Sequence, residues 1–395
     1  MSWRKACPIY CFLLILISII SSFVFNPIAP DSHSYLNIGQ NLIEKGIYSY
    51  DGDSPTRIRL PGYPVFLGIF YFLLGEQIWL IIALQTLLNI FSFFFILKIG
   101  RLIYGEERLL ILPIMLILYV PIWVSAAMLL TESLFIFLNI IFIYFLIRGF
   151  HSNKSRDFNL SGLIGALAFL TRGIELTILI LTPLIILLSR RYIHRPAKRI
   201  LQFVLIAILA LMPWTVRNYI STNAFTPLTI DGTYNFYYSS LDESTIESGD
   251  YLRWDPDLNY DILSDTMQLK QKAWESMKKE PFDYAKRSAK RIMNMWIHFP
   301  GTRDSSNQII KTAGMVVQIG FIVLLIFGFA KTRRPYNWLL IMPWLGYSAI
   351  FAISLSTIRF LIPAIPVAMI LASRGAQSAI NWSSDLMGNK RTKLN

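Results

Sequence analysis

Residues 77–97 read QIWLIIALQTLLNIFSFFFIL, an apolar stretch without a charged side chain. About 20 such residues are enough for a helix to cross the hydrocarbon core of a bilayer. The stretches 6–30, 109–131 and 335–358 are also uncharged and of similar length. Of all residues, 54% are hydrophobic and 15% are charged, whereas soluble domains average about 25% charged residues. The sequence therefore predicts an all-α polytopic membrane protein and excludes a soluble enzyme, a disordered chain and an outer-membrane barrel.

The distribution of Lys and Arg orients the chain in the membrane. With ten spans both termini lie on one side, and that side collects 20 of the 37 basic residues. Cytoplasmic loops are enriched in Lys and Arg, so we expect a multi-pass plasma membrane protein with both termini in the cytoplasm. The same loops account for much of the net charge of +13, and no nucleic-acid partner is predicted. The spans are expected near 8–26, 77–97, 109–127, 132–147, 159–172, 173–189, 199–216, 314–330, 336–354 and 359–373.

The predicted organisation is one transmembrane domain, 1–395, with two outer segments. The first, 27–76, contains juxtamembrane helices and includes the apolar stretch Pro61–Gly75. That stretch is short for a span and is interpreted as a re-entrant or interfacial helix, with a tilted short span as the alternative. The second segment, 217–313, is long and polar, as functional loops often are. It ends in Pro281–Trp296, where basic and apolar residues alternate at helical spacing, as in an interfacial amphipathic helix.

Two acidic residues stand where predicted spans meet the outer face. Asp31 follows the first span, and a carboxylate there can accept a proton from an acceptor hydroxyl. The alternative role, an N-cap of the helix that follows, is compatible with this because a cap fixes the carboxylate. Glu132 joins the third and fourth spans; it is either a first-turn acid that favours the helix dipole or a second carboxylate in the same cavity. Asp31 and Glu132 are the predicted catalytic residues.

Arginines on the outer side are candidates for binding a phosphate, because a guanidinium offers paired donors. Arg57 and Arg59 lie in the first outer segment, and the alternative is that they anchor the chain to lipid headgroups. Arg172 falls near the middle of an apolar stretch, 158–189, that is too long for one span and short for two. Its hairpin is expected to end below the outer surface, where ionisable groups are usually functional. An internal ion pair with Glu175 is the alternative.

Arg217 ends the seventh predicted span and Arg359 opens the last one, both on the outer side. Each is either a residue that snorkels to the interface or part of a cation cluster for a phosphate or diphosphate headgroup.

The four histidines have no ligand spacing, so no metal site and no cofactor are predicted, and a divalent metal is left open. The predicted phosphate-binding residues are Arg59, Arg172, Arg359 and Arg217, and the further pocket candidates are His33, Tyr35, Arg57 and Tyr63.

Several motifs follow one another in the order found in a known superfamily. They are Asp31 after the first helix, Arg59-Leu-Pro-Gly-Tyr-Pro64, Glu132, Pro213-Trp-Thr-Val-Arg-Asn-Tyr219 and Arg359-Phe-Leu-Ile-Pro363. The chain resembles the C-type (GT-C) polyprenyl-phosphate-sugar glycosyltransferases, which include protein O-mannosyltransferases and lipid A aminoarabinose transferases. The resemblance implies a GT-C-like bundle of about ten transmembrane helices with outer-face juxtamembrane helices. It also implies inverting transfer of a sugar from a polyprenyl-phosphate carrier to a glycan, lipid or protein acceptor at the outer face.

By this resemblance the family's catalytic acid corresponds to Asp31 and its second-loop acid to Glu132. Its phosphate site corresponds to the basic residues at the outer end of the helices. The Asp-Glu pair of the mannosyltransferases is Asp31-Ser32 here, which speaks against a protein acceptor, and their Arg early in the next span has no counterpart in 77–97. The expected partners are the lipid-linked donor, the acceptor and membrane lipids. The alternatives are a transporter or flippase of lipid-linked sugars and a lipid-linked glycan polymerase or ligase. Candidate residues at the outer end rather than the midplane favour an enzyme.

Overall fold

A computed structural model describes residues 3–24, 26–105, 111–223, 225–241, 263–300, 307–354 and 358–391. Within these ranges the regular structure is helical, and a single isolated bridge joins Ser49 to Pro55. Short 3₁₀ turns span Ser125–Ala127, Gly173–Glu175 and Ile358–Ala364. The α-helices are α1 Trp3–Val24, α2 Pro30–Glu44, α3 Gly62–Leu74, α4 Ile78–Tyr104, α5 Ile111–Leu118, α6 Val120–Val124, α7 Glu132–Ser152, α8 Ser155–Thr171, α9 Leu176–Leu188, α10 Pro196–Thr222, α11 Asp231–Ser240, α12 Leu263–Lys279, α13 Pro281–Ile297, α14 Gln308–Lys331, α15 Tyr336–Ile353 and α16 Ile365–Arg391.

Many of these helices are apolar enough to lie in a membrane. Among the described residues, six are also long enough to cross one: α4, α7, α10, α14, α15 and the segment Arg359–Trp382. Shorter apolar helices cover Phe12–Val24, Gly62–Leu74 and Gly173–Leu188. The predicted fold class, an all-α multi-pass membrane protein, is confirmed. The number of ten spans stays a prediction, because six helices of the described part meet both the length and the apolarity that a span requires.

The apolar stretch of the first outer segment forms α3 and packs against α2. At 13 residues and about 1.5 Å per residue, α3 is about 20 Å long, less than the thickness of a hydrocarbon core. The two helices touch through their backbones at Gly39 and Gly68, where an added Cβ would lie 2.8 Å from the carbonyl oxygen of Pro64 or Gly39. This contact makes a tight helical hairpin of α2 and α3, with the loop 45–61 between them.

The predicted span 109–127 is broken. Residues 106–110 are outside the described part, and the rest forms α5, α6 and the 3₁₀ turn Ser125–Ala127, with a break at Tyr119. Pro121 explains the break, because it has no N–H to donate to the carbonyl four residues earlier and its ring clashes with that carbonyl. The segment therefore reaches Glu132 as short pieces instead of one continuous helix.

The most buried helices lead to one end of the bundle. Helix α7 is largely apolar, and its side chains Phe135, Phe142 and Leu146 are fully buried. In the segment Arg359–Trp382, 78% of the most apolar stretch is buried inside the protein. Both elements begin at the same end of the bundle. Helix α7 begins with Glu132, and the last segment begins with Arg359. Buried, well-packed helices hold such residues in fixed positions.

Candidate active site

Five charged side chains from distant parts of the sequence meet at one end of the helices. Asp31 lies in the first turn of α2, and Arg59 lies in the loop between α2 and α3. Glu132 is the first residue of α7, Arg172 directly follows α8, and Arg359 lies in the 3₁₀ turn before α16. We call these five residues the charged cluster. Each stands at or beside an end of a helix, where a long side chain can leave the packed core.

Asp31 is ion-paired through both oxygens. Its Oδ1 lies 2.9 Å from Nη2 of Arg59, and its Oδ2 lies 3.3 Å from Nη2 of Arg359. Arg59 also donates from Nε to the Ser34 hydroxyl at 3.0 Å, and its guanidinium lies 5.0 Å from the ring centre of Tyr35. The predicted N-cap role is not seen, since the cap position is Ala29 and the carboxylate of Asp31 faces the arginines.

Glu132 is held by two arginines as well. Its Oε1 lies 3.1 Å from Nη1 of Arg172 and 3.2 Å from Nε of Arg359. The Glu132 side chain is 2% exposed, whereas the Asp31 side chain is 40% exposed. Both contacts to Oε1 are ion pairs without hydrogen-bond alignment. Glu132 opens α7, so it is both a first-turn acid and a member of the charged cluster.

The charged cluster alternates in sign and has one surplus positive charge. Arg359 contacts both carboxylates, so the order is Arg59, Asp31, Arg359, Glu132 and Arg172. Burial raises the pKa of Asp31, but the charges of Arg59 and Arg359 and their hydrogen bonds outweigh burial and hold it below its ordinary value. A site with three guanidinium groups and an accessible carboxylate can bind a phosphate and accept a proton.

Arg172 does not pair with Glu175. Its guanidinium lies between the rings of Phe135 and Phe360, 5.8 and 5.3 Å from their centres. The carboxylate of Glu175 instead accepts hydrogen bonds from the amide of Asn139 and the hydroxyl of Tyr347.

The Glu175, Asn139 and Tyr347 side chains are all fully buried. The backbone N–H of Glu175 donates to the carbonyl of Arg172, so this polar triad fixes the turn that carries Arg172. The triad was not predicted from the sequence, where its only signal is two polar residues, Asn139 and Tyr347, inside apolar helices.

Arg217 lies beside the charged cluster and contacts the backbone of the loop that carries Arg59. It donates to the carbonyl oxygens of Thr56 at 2.6 Å and Tyr48 at 2.9 Å. Its guanidinium also lies 5.0 Å from the ring centre of Tyr48 and 5.2 Å from that of Trp214. These contacts join α10 to the loop that carries Arg59.

The remaining pocket candidates differ in position. Tyr35 packs edge-to-face on Tyr63 with ring centres 5.2 Å apart. Tyr63 is fully buried and donates its hydroxyl to Gln85 at 2.7 Å, as a core residue does. Arg57 is 4% exposed, and His33 is exposed on α2. Tyr35 contacts the charged cluster through the guanidinium of Arg59.

Helix α11 of the second outer segment joins two walls of the site. The N–H of Ile230, just before α11, lies 3.4 Å from the carbonyl oxygen of Arg57. At the other end, the Ser239 hydroxyl donates to the carbonyl of Ile353 at 2.9 Å, close to the turn that carries Arg359. Seven acidic residues of this segment fall in 242–262, outside the described residues.

The comparison with protein families gives one match. Residues 53–216, less than half of the chain, match the family model of dolichyl-phosphate-mannose-protein mannosyltransferases. The matched stretch contains Arg59, Glu132 and Arg172, while Asp31 and Arg359 lie outside it. No curated protein matches the chain significantly. The resemblance predicted from the motifs is confirmed over this stretch.

Two solved structures align with most of the chain. ArnT from Cupriavidus metallidurans bound to undecaprenyl phosphate shares 14% sequence identity at a TM-score of 0.46, covering 94% of this chain and 77% of that one. The same protein in the apo state shares 14% identity at a TM-score of 0.42, covering 95% of this chain and 78% of that one.

Proposed function

We propose that this chain is an inverting glycosyltransferase that moves a sugar from a polyprenyl-phosphate carrier to an acceptor hydroxyl. The observation that carries the proposal is the charged cluster, in which Arg59 and Arg359 hold the accessible carboxylate of Asp31 and a third arginine, Arg172, lies on the buried carboxylate of Glu132. The family match over residues 53–216 supports a lipid-phosphate donor. The apolar helices around the cluster support a donor that reaches the site from the bilayer.

The proposed step is a single displacement at the anomeric carbon. Asp31 accepts the proton of the acceptor hydroxyl, and the acceptor oxygen forms a bond to that carbon. The bond from the anomeric carbon to the phosphate oxygen breaks, and its electron pair stays on the polyprenyl phosphate. Attack from the side opposite the phosphate inverts the configuration.

The arginines act on the phosphate side of this step. Arg59, Arg172 and Arg359 present donors from three different elements, so a phosphate between them receives charge-assisted hydrogen bonds. Negative charge grows on the leaving oxygen as the sugar departs, and preorganised cations stabilise that charge most. We place the reaction at the outer face of the plasma membrane because the basic loops lie at the opposite end of the helices.

Turnover in proteoliposomes tests the proposal. The protein is reconstituted with a panel of radiolabelled polyprenyl-phosphate sugars and candidate glycan, lipid and peptide acceptors. We expect labelled acceptor and free polyprenyl phosphate in equal amounts, and no transfer with Asp31→Asn. Movement of intact donor across the bilayer without cleavage indicates a flippase instead, and turnover only with diphosphate-linked donors indicates a polymerase or ligase. Either result contradicts the proposed function.

A further inference from the structure

The two carboxylates of the charged cluster are each ion-paired with two arginines but differ in burial. Glu132 is 2% exposed, so loss of its arginine partners leaves a buried charge without compensation, which is costly. Asp31 is 40% exposed, and water can replace its partners at little cost. The ion pairs of Asp31 are therefore the ones that an incoming anion can break.

We propose that the donor phosphate takes the place of Asp31 on Arg59 and Arg359 and thereby frees Asp31 to act as the base. In the same step Glu132 stays paired with Arg172 and Arg359 and holds them in position. Glu132 is then a positioning residue and does not share proton acceptance with Asp31. This inference rests on the proposed function and assigns separate roles to the two acids.

The geometry of Arg359 makes the exchange feasible. Arg359 contacts Glu132 through Nε at 3.2 Å and Asp31 through Nη2 at 3.3 Å. The two contacts use different nitrogens, so Nη2 can change its partner while Nε stays on the buried acid. Arg59 likewise keeps its hydrogen bond to Ser34 through Nε while its Nη2 changes partner.

The charges of the cluster fit a phosphodiester. Three arginines and two carboxylates leave one positive charge, and the phosphate of a polyprenyl-phosphate sugar carries one negative charge. The bound donor therefore neutralises the cluster without removing either carboxylate. A phosphate oxygen also forms charge-assisted bonds with guanidinium groups as a carboxylate does, so it can compete for the same donors.

The exchange makes Asp31 a better base only when the donor is present. Before binding, the groups that face Asp31 are Arg59 and Arg359, with the Ser34 hydroxyl, the Tyr35 ring and Glu132 next to those arginines. The two guanidinium groups hold the pKa of Asp31 below its ordinary value despite burial. Once the phosphate neutralises them, the pKa rises and the carboxylate oxygens are free to meet the acceptor hydroxyl. The acceptor is thus activated only in the presence of both substrates.

Binding of a donor analogue tests this exchange without knowledge of the sugar. The probe is undecaprenyl methyl phosphate, a diester with one negative charge, titrated into the protein in nanodiscs. Asp31→Asn removes the competitor for the arginines, so we expect binding to become about two- to fivefold tighter. Glu132→Gln releases Arg172 and Arg359 from their anchor, and we expect binding about tenfold weaker.

The matched control is Asp51→Asn. Asp51 is exposed in the same outer segment and accepts hydrogen bonds from Ser49, Asp53 and Ser54, so the change in net charge is the same without contact to the cluster. Its affinity is expected to match wild type. Equal tightening in Asp31→Asn and Glu132→Gln contradicts the exchange, because net charge alone explains that result. Unchanged or weaker binding by folded Asp31→Asn also overturns it.

Proton uptake gives a second readout on the wild-type protein. Calorimetry of the same titration near pH 4, in two buffers of different ionisation enthalpy, measures the protons taken up per bound diester. A rise in the pKa of Asp31 requires uptake by wild type and none by Asp31→Asn. Absence of uptake in wild type contradicts the exchange. If wild type does not bind the diester at all, the proposed function fails instead, so the two failures are distinguishable.

Discussion

Arg359 contacts both acidic residues of the site, with Nε 3.2 Å from Oε1 of Glu132 and Nη2 3.3 Å from Oδ2 of Asp31. The two acids are 101 positions apart in the sequence, and Arg359 belongs to the last apolar segment. One guanidinium therefore couples the first outer segment, the start of α7 and the turn before α16. Displacement of any of these elements changes the geometry of the other two.

Replacement of Asp31 by Asn is expected to abolish transfer while donor binding is retained. The amide keeps the shape of the side chain but cannot accept the acceptor proton, and loss of a general base typically lowers the rate about 10²–10⁴-fold. The measurement is turnover at saturating donor, with Asp51→Asn as a control that removes a charge from the same segment. Wild-type turnover by folded Asp31→Asn removes Asp31 from the mechanism.

Replacement of Arg172 distinguishes a phosphate ligand from a lipid anchor. We expect Arg172→Ala to raise the KM for the donor and lower kcat, because charge grows on the leaving phosphate in the transition state. Arg172→Lys keeps the charge but loses the planar fork, so it retains part of the affinity. Arg156→Ala is the control, since Arg156 is a largely exposed arginine at the opposite end of α8. Normal donor kinetics in Arg172→Ala, Arg59→Ala and Arg359→Ala together would show that the arginines only anchor the headgroup region.

In the polar triad of Glu175, Asn139 and Tyr347, we expect Glu175 to tolerate replacement by an amide but not truncation to alanine. Glu175→Gln keeps an oxygen that accepts from Asn139 and Tyr347, whereas Glu175→Ala leaves both buried donors without an acceptor. Each unsatisfied buried group costs about 1–3 kcal/mol, so Glu175→Ala lowers the melting temperature clearly and Glu175→Gln much less. Thermal melts in detergent measure both. An equal loss of stability in the two variants indicates that the charge of Glu175 matters instead.

The pH dependence of stability tests the ion pairs of Asp31. The pKa of Asp31 is lowered in the folded state, so its pairs stabilise the protein fully above the pKa of unfolded Asp, about 3.9. This contribution is lost as the pH falls from that value through the folded pKa. The stability difference between wild type and Asp31→Asn is therefore expected to be constant from neutral pH down to about pH 5 and to shrink below about pH 4. A difference that grows on acidification contradicts the assignment of these pairs.

Cysteine labelling tests the orientation. After replacement of Cys7 and Cys11, single cysteines are introduced at exposed positions and treated with an impermeant maleimide on intact cells. Lys270→Cys, in α12 of the second outer segment, is expected to react, whereas Lys154→Cys and Lys198→Cys, in the basic loops, are not. The reverse pattern overturns the orientation and moves the proposed reaction to the cytoplasmic side.

The sequence predicted the members of the charged cluster better than their pairing. Charges in an apolar chain are conspicuous, and Asp31, Glu132 and Arg359 each interrupt or border an uncharged stretch. Which arginine meets which acid depends on how distant segments pack, and sequence spacing carries no such distance. The alternative pairing of Arg172 with Glu175 followed from their proximity in sequence, but the 3₁₀ turn directs Glu175 to partners 36 and 172 positions away.

The helix boundaries were likewise predictable from the sequence only in part. Hydropathy located the long apolar helices because their length and composition are independent of tertiary contacts. The break of the predicted span 109–127 could have been predicted from Pro121, which hydropathy alone does not weigh. The bracing of the loop 45–61 by Arg217 could not, since it relies on backbone carbonyls whose positions only the fold defines.

The single surplus positive charge of the cluster has a consequence for release of the spent carrier. When Asp31 takes up the acceptor proton the surplus becomes two, while the free polyprenyl phosphate gains a second charge and carries about −1.5 to −2. The site and its lipid thus remain close to electroneutral through the chemical step, and the product is still held. Loss of the proton from Asp31 to water ends this balance and restores a carboxylate that repels the phosphate. We therefore expect departure of the carrier to be coupled to deprotonation of Asp31, and a pre-steady-state burst of labelled acceptor wherever that release is slower than transfer.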